Sequence, residues 1–285
     1  MDPLQSTLKP DEVTFAFVQQ GVAKHRMRYD IVFFKAVLAG LMLSFGALMN
    51  ELVQDGTPSL SAATGNPAIP KLLGGFVFPS GFVLIPMLGL ELLTSNMMVF
   101  PIAIASGAIP WWSLLVNWII VTFGNLAGSL FSAALLVRFS AILSSEPFAT
   151  GVQTFAIKKA VTPSFLQIFL RGIGCNILVC IAIWLSVGAK ETVSKLIAIW
   201  IPIWVFVACS FDHVIANMFY IPLGILFDAP SLTVDSYIRK SLIATYLGNI
   251  VGAFIVWGPA VYFYVWNSEN KIQETEEGSL TKSDE

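Results

Sequence analysis

Two stretches of this chain follow one pattern: Glu91-Leu-Leu-Thr-Ser-Asn96-Met97-Met-Val-Phe-Pro101 and Asp212-His213-Val-Ile-Ala-Asn217-Met218-Phe-Tyr-Ile-Pro222. Each reads acid, four residues, Asn-Met, three residues, Pro, at an offset of 121 positions (212 − 91). A second pair, Phe123-Gly124-Asn125-Leu-Ala-Gly128 and Leu247-Gly248-Asn249-Ile-Val-Gly252, shares Gly-Asn-x-x-Gly at an offset of 124 (249 − 125). Two independent matches at nearly one offset are the signature of a duplicated unit.

The duplicated stretches lie inside apolar runs. A helix-length window finds six of these, near Ile31–Met49, Leu72–Ile104, Trp111–Val137, Pro163–Gly188, Leu196–Phe227 and Leu242–Trp266. A membrane-spanning helix needs about 20 residues. Four of the runs suit that length, but the second and fifth pass 30 residues. Straight helices of that size would reach about 45–50 Å at 1.5 Å per residue. Both runs carry helix breakers: Pro79, Gly81, Pro86, Gly89 and Pro101 in one, Pro202 and Pro222 in the other. The expectation is an all-α membrane protein of six transmembrane helices with the second and fifth broken, built from repeats near 31–137 and 163–266. A unit of three spans forces its second copy to insert upside down, giving two inverted three-helix repeats whose broken helices meet near the midplane.

Composition agrees. Of 285 residues, 56% are hydrophobic and 12% charged, and the mean hydropathy is +0.75. A soluble domain carries about 25% charged residues. No Lys/Arg cluster suits nucleic acid. Cys175, Cys180 and Cys209 sit in apolar runs without metal-ligand spacing, so neither a metal nor a cofactor is expected. Residues 1–30 are polar, with Asp11–Arg28 expected as an amphipathic helix along the membrane interface. The acidic segment 267–285 is expected to be a disordered tail. Lys24, Arg26, Arg28, Lys35, Lys190, Lys195 and Lys271 fall on one side, and Lys71, Arg138, Lys158, Lys159, Arg239 and Lys240 on the other. The slight excess puts both termini in the cytoplasm.

Ionisable residues within spans are costly and mark pathways. Glu91, Arg171, Asp212 and His213 are such residues. His213 is the one suited to proton exchange near neutral pH, and the repeat places Leu92 opposite it. Glu91 and Asp212 are expected to brace the breaks by accepting backbone N–H groups, with Asn125, Asn176, Asn217 and Asn249 in similar bracing or anion-solvating roles, and Arg171 to pair with an acid or with carbonyls. Asn66-Pro67-Ala68, a partial likeness to a water-channel motif, reads as a turn. A serine or cysteine nucleophile with a base at usable spacing is not evident, so enzymatic chemistry is not expected. A neutral-solute channel and a pore-less membrane scaffold or receptor are the competing readings.

Over Asp11–Trp266 the chain resembles the formate/nitrite transporter family. The resemblance is carried by Glu91-Leu-Leu-Thr-Ser-Asn96, Asn117-Trp118, Phe123-Gly124-Asn125, Arg171-Gly-Ile-Gly-Cys-Asn176 with Leu178-Val179-Cys180, Phe211-Asp-His213-Val-Ile-Ala-Asn217-Met218 and Gly248-Asn249. It implies an aquaporin-like protomer in a homopentamer, with one pore per protomer. By position it implies hydrophobic constrictions at Leu92 with Phe78 or Phe82 and at Phe206, with Thr94 facing the central His213 and Asn176 alongside. The motifs look most like the fungal nitrite transporters. That implies plasma-membrane passage of nitrite with a proton, in nitrate assimilation, with formate, lactate or hydrosulfide as alternatives. The chain departs from the family with Glu91 where Asp is common and Asp212 where Glu is usual. It has Ala160 where a vestibule lysine stands, which leaves Lys158 and Lys159 to supply that charge.

Overall fold

The computed structural model describes residues 6–56 and 65–267, so the expected acidic tail lies outside the described residues apart from Asn267. Ten helical elements follow in order: α1 (Pro10–His25), α2 (Tyr29–Gly56), α3 (Ala68–Met87), α4 (Leu93–Ala105), α5 (Trp112–Arg138), α6 (Phe148–Ala160), α7 (Phe165–Gly188), α8 (Thr192–Ala208), α9 (Val214–Leu226) and α10 (Val234–Trp266). Five of them, α2, α3, α5, α7 and α10, are long and apolar enough to cross a membrane. The fifth apolar run contributes none of these, because it is divided into α8 and α9, each shorter than a span. The second run divides into α3 and α4.

Both divided runs end their first helix in the same way. Gly89 (φ +63°) and Ser210 (φ +61°) take the left-handed conformation, and they too are 121 positions apart (210 − 89). The next amide reaches back over the last turn in each, Leu90 N–H to Ile85 C=O at 2.9 Å and Phe211 N–H to Phe206 C=O at 3.1 Å. This is the Schellman closure, which satisfies carbonyls that a helix end leaves orphaned. Ser210 bears a left-handed strain that Gly89 avoids. The chain then runs extended through Leu92 (φ −107°, ψ 125°) and His213 (φ −100°, ψ 122°), which cap α4 and α9.

Glycines let the long helices close around these breaks. A Cβ on Gly128 would lie 2.0 Å from Val37 O on α2, and one on Gly252 2.4 Å from Ile173 O on α7. The Gly-Asn-x-x-Gly motifs thus seat α5 on α2 and α10 on α7.

The short helices α1 and α6 pack alike too. Gly21 of α1 meets Ala103 of α4, as Ala156 of α6 meets Gly224 of α9. Val13 and Phe17 of α1 are buried against protein, with Phe17 on Trp184, while Phe15 faces outward. The side of α1 bearing Val13 and Phe17 therefore packs on the bundle instead of on lipid. Asn66 forms a turn, its side chain accepting Ala68 N–H at 2.9 Å where α3 begins.

Candidate functional site

Each break exposes backbone groups that helix bonding cannot reach, and in an apolar setting every one needs a partner. Asparagine supplies them. Asn125 accepts Leu93 N–H at 3.0 Å and donates to Ala36 C=O at 2.8 Å and Glu91 C=O at 2.9 Å. Asn249 accepts Val214 N–H at 2.9 Å and donates to Gly172 C=O at 2.8 Å and Asp212 C=O at 3.0 Å. One carboxamide thus ties each break to a long helix with three bonds.

The side chains of Glu91 and Asp212 act differently from the expectation, because they hold side chains instead of backbone amides. Glu91 pairs with Lys24 at 2.6 Å and accepts Asn96 at 2.8 Å. Asp212 pairs with Lys159 at 3.0 Å and accepts Asn217 at 3.3 Å. Both carboxylates are fully buried, so each needs its counter-charge. Lys159 also donates to Ser210 C=O at 3.2 Å and Phe211 C=O at 2.9 Å. All three ammonium hydrogens of Lys159 are therefore engaged. Arg171, expected to pair, has no side-chain hydrogen bond or ion pair among the described residues. Its carbonyl accepts Asp212 N–H at 3.4 Å, which places its backbone beside the second break.

The breaks bring His213 and Thr94 together, with Nε2 and Oγ1 2.9 Å apart. The other ring nitrogen, Nδ1, accepts Ala216 N–H at 3.1 Å and caps α9. That bond assigns the tautomer: the proton sits on Nε2 and is donated to Thr94 Oγ1. A second proton on Nδ1 would break the cap. Phe206 stacks on the imidazole at 5.9 Å between centroids, Phe82 lies edge-on at 6.5 Å, and Phe78 packs on Phe206 at 5.6 Å. Asn176 donates to Asn249 C=O at 2.8 Å and Thr94 C=O at 3.4 Å, and its own Oδ1 is buried without a partner among the described residues.

Two wide cavities approach this centre. One of about 1000 Å³ is lined by Lys158, Lys159, Arg171, Cys209 and Ser210. The other, of about 570 Å³, is lined by Lys24, Glu91 and Leu92. A gap of only about 20 Å³ beside Phe78, Phe206 and His213 shares Lys159 and Ser210 with the larger cavity. An anion between these aromatic and aliphatic walls would shed its water, and with the Nε2–H already given to Thr94 it would be offered the Thr94 hydroxyl in return.

The family model for formate/nitrite transporters matches residues 11–264. A probable formate transporter of Methanothermobacter thermautotrophicus is 37% identical over 81% of this chain and 87% of its own length. The uncharacterized transporter YrhG of Bacillus subtilis is 34% identical over 93% of this chain and 96% of its own. Among solved structures, a pentameric formate channel with formate bound aligns at a TM-score of 0.72 and 29% identity, covering 82% of this chain and 96% of that one.

Proposed function

This chain belongs to the formate/nitrite transporter family, and on that premise we propose that it carries a small monovalent anion of a weak acid across the membrane together with one proton. It is an integral membrane protein and not an enzyme. The observation that carries the reading is the His213–Thr94 pair, a polar contact beside the Phe78, Phe82 and Phe206 rings at a narrow gap that adjoins the larger cavity. A bare anion loses its hydration there at high cost, whereas the neutral acid crosses with little. His213 is the coupling site, its Nε2 held on Thr94 Oγ1 between the rings, where the anion and its proton pass together as the neutral acid. Leu92 and Phe206 form the two constrictions.

The assembly in this reading is a homopentamer of six-span protomers in the plasma membrane. Its halves are inverted repeats, and both termini are cytoplasmic. The paired breaks, paired asparagines and paired Lys–acid contacts support the duplication. Formate ranks first as substrate, because most of the relatives named for a substrate are formate transporters and channels, one other being named for both formate and nitrite. Nitrite, favoured by the flavour of the motifs, ranks second, ahead of lactate and hydrosulfide.

The test is competition in liposomes holding the purified full chain. Unlabelled formate and nitrite are expected to suppress labelled formate uptake, formate at the lower concentration. Uptake no faster than in protein-free vesicles would overturn the function. Competition by nitrite alone would reverse the substrate order.

A further inference from the structure

The larger vestibule is lined by four cations, Lys71, Lys158, Lys159 and Arg171, and by the acids Asp55 and Glu146. Their availability to a passing anion differs. Lys159 is the most deeply placed, but its three donors are taken and its charge is cancelled by Asp212. Lys158 is exposed and its charge acts on Asp55. Lys71 is exposed at the start of α3. Arg171 is the exception. It is partly buried, stands level with the second break, and has neither ion pair nor side-chain hydrogen bond among the described residues. Neither Asp55 nor Glu146 lies within ion-pair distance of it.

A half-buried guanidinium in a membrane-spanning helix is expensive without a counter-charge. Arg171 lies near the start of α7, and helical side chains lean toward the helix N-terminus, which carries this one into the cavity and not into the protein. Its planar fork offers two parallel N–H donors, the complement of a planar anion with two equivalent oxygens. Lysine offers a point charge and no fork.

From this geometry we propose that Arg171 is the docking residue of the larger vestibule, holding a two-oxygen anion on paired N–H groups before it enters the gap beside Phe206 and His213. The assignment rests on the function proposed above and adds to it. Formate and nitrite gain both donors, whereas a single-centre anion such as hydrosulfide gains only the charge. Arg171 thereby confers part of the selectivity, upstream of the rings.

The experiment is concentration-dependent uptake of formate and of hydrosulfide by liposomes holding wild type, Arg171→Lys or Arg171→Gln. Protein orientation is fixed by sealing one face with an impermeant reagent, so that entry through this vestibule is read alone. Arg171→Lys is expected to raise the half-saturating formate concentration about tenfold, the worth of one charge-assisted hydrogen bond. Maximal flux should stay within about twofold and hydrosulfide half-saturation should not move. Arg171→Gln should weaken both anions. An unchanged formate half-saturation in Arg171→Lys, or equal shifts for formate and hydrosulfide, would overturn the docking assignment. So would a fall in maximal flux alone, or failure of both variants to assemble, since either marks a structural arginine that reaches toward lipid headgroups. A wild type that moves neither anion sinks the proposed function itself, a result separable from all of these.

Discussion

Replacing His213 by Asn separates its two jobs. The imidazole makes one bond through each nitrogen, Nδ1 accepting Ala216 N–H at 3.1 Å and Nε2 donating to Thr94 at 2.9 Å. Asn is among the best N-cap residues, so the Nδ1 contact has a natural substitute. The Nε2 contact lies beyond a carboxamide's reach, and its loss costs about 1 kcal/mol net. The shorter side chain also leaves Phe206 and Phe82 without their ring neighbour. The void adjoins an existing gap of about 20 Å³, so little new enclosed space is made. His213→Asn should therefore lose on the order of 1–2 kcal/mol, against roughly 2–3 kcal/mol for His213→Ala, which gives up the cap as well. Thermal unfolding in detergent reads that order. Liposome uptake at stepped external pH reads the function: His213→Asn should lose most acid-stimulated formate uptake while remaining folded and oligomeric. In the His213→Asn background, Thr94→Val should add little, since the two groups act as one pair. A His213→Asn protein with the wild-type pH profile would reduce His213 to a helix cap and refute the coupling.

Three further outcomes follow from the same geometry. Asn249→Ala removes three buried hydrogen bonds at the second break and should destabilise by about 2–3 kcal/mol at the 0.6–1 kcal/mol each is worth in a membrane protein, read as a lowered melting temperature in detergent. Lys159→Met strands the buried Asp212 carboxylate and should cost about 3–5 kcal/mol, most of it recovered in Lys159→Met/Asp212→Asn; a double variant no better than the single one would mean that the pair is not a unit. Leu92→Ala and Phe206→Ala should admit lactate more readily in liposome uptake without preventing assembly, and loss of the assembled oligomer would instead make both residues core packing.

The approximate places of the breaks were legible, to within a few residues, because backbone chemistry marks them locally. Pro86 and Gly89 announce the first, and the repeated acid, Asn-Met and Pro register carries that reading to the second, where Ser210 takes the conformation that Gly89 takes more freely. The Gly-Asn-x-x-Gly pairs were legible for the same reason, since a glycine at such a spacing has few uses besides close approach. The braces were not divided correctly between residue types. An acid can accept backbone amides as well as an asparagine can, and the choice depends on which lysine arrives in space. Lys24 meets Glu91 across 67 positions, and Lys159 reaches Asp212 across 53 (212 − 159). Such long-range pairing leaves no local signal. It also hid the likeness of α1 to α6, because each is short and weakly apolar, and what they share is a small-residue contact and a terminal lysine. Arg171 was expected to have a partner on the ground of cost alone. The open cavity beside it, visible only in three dimensions, is what lets it stand without an ion pair among the described residues.

In the proposed function one proton crosses with each anion, so that the species between the rings is neutral. Liposomes holding the wild-type chain would be given an inward proton gradient with the membrane voltage clamped at several values by potassium and valinomycin, and labelled formate followed to steady state. Accumulation that tracks the proton gradient and is indifferent to voltage, with matching internal acidification, is the predicted result. Accumulation that follows voltage and ignores the proton gradient would mean that the bare anion passes His213 and that no proton is coupled to it.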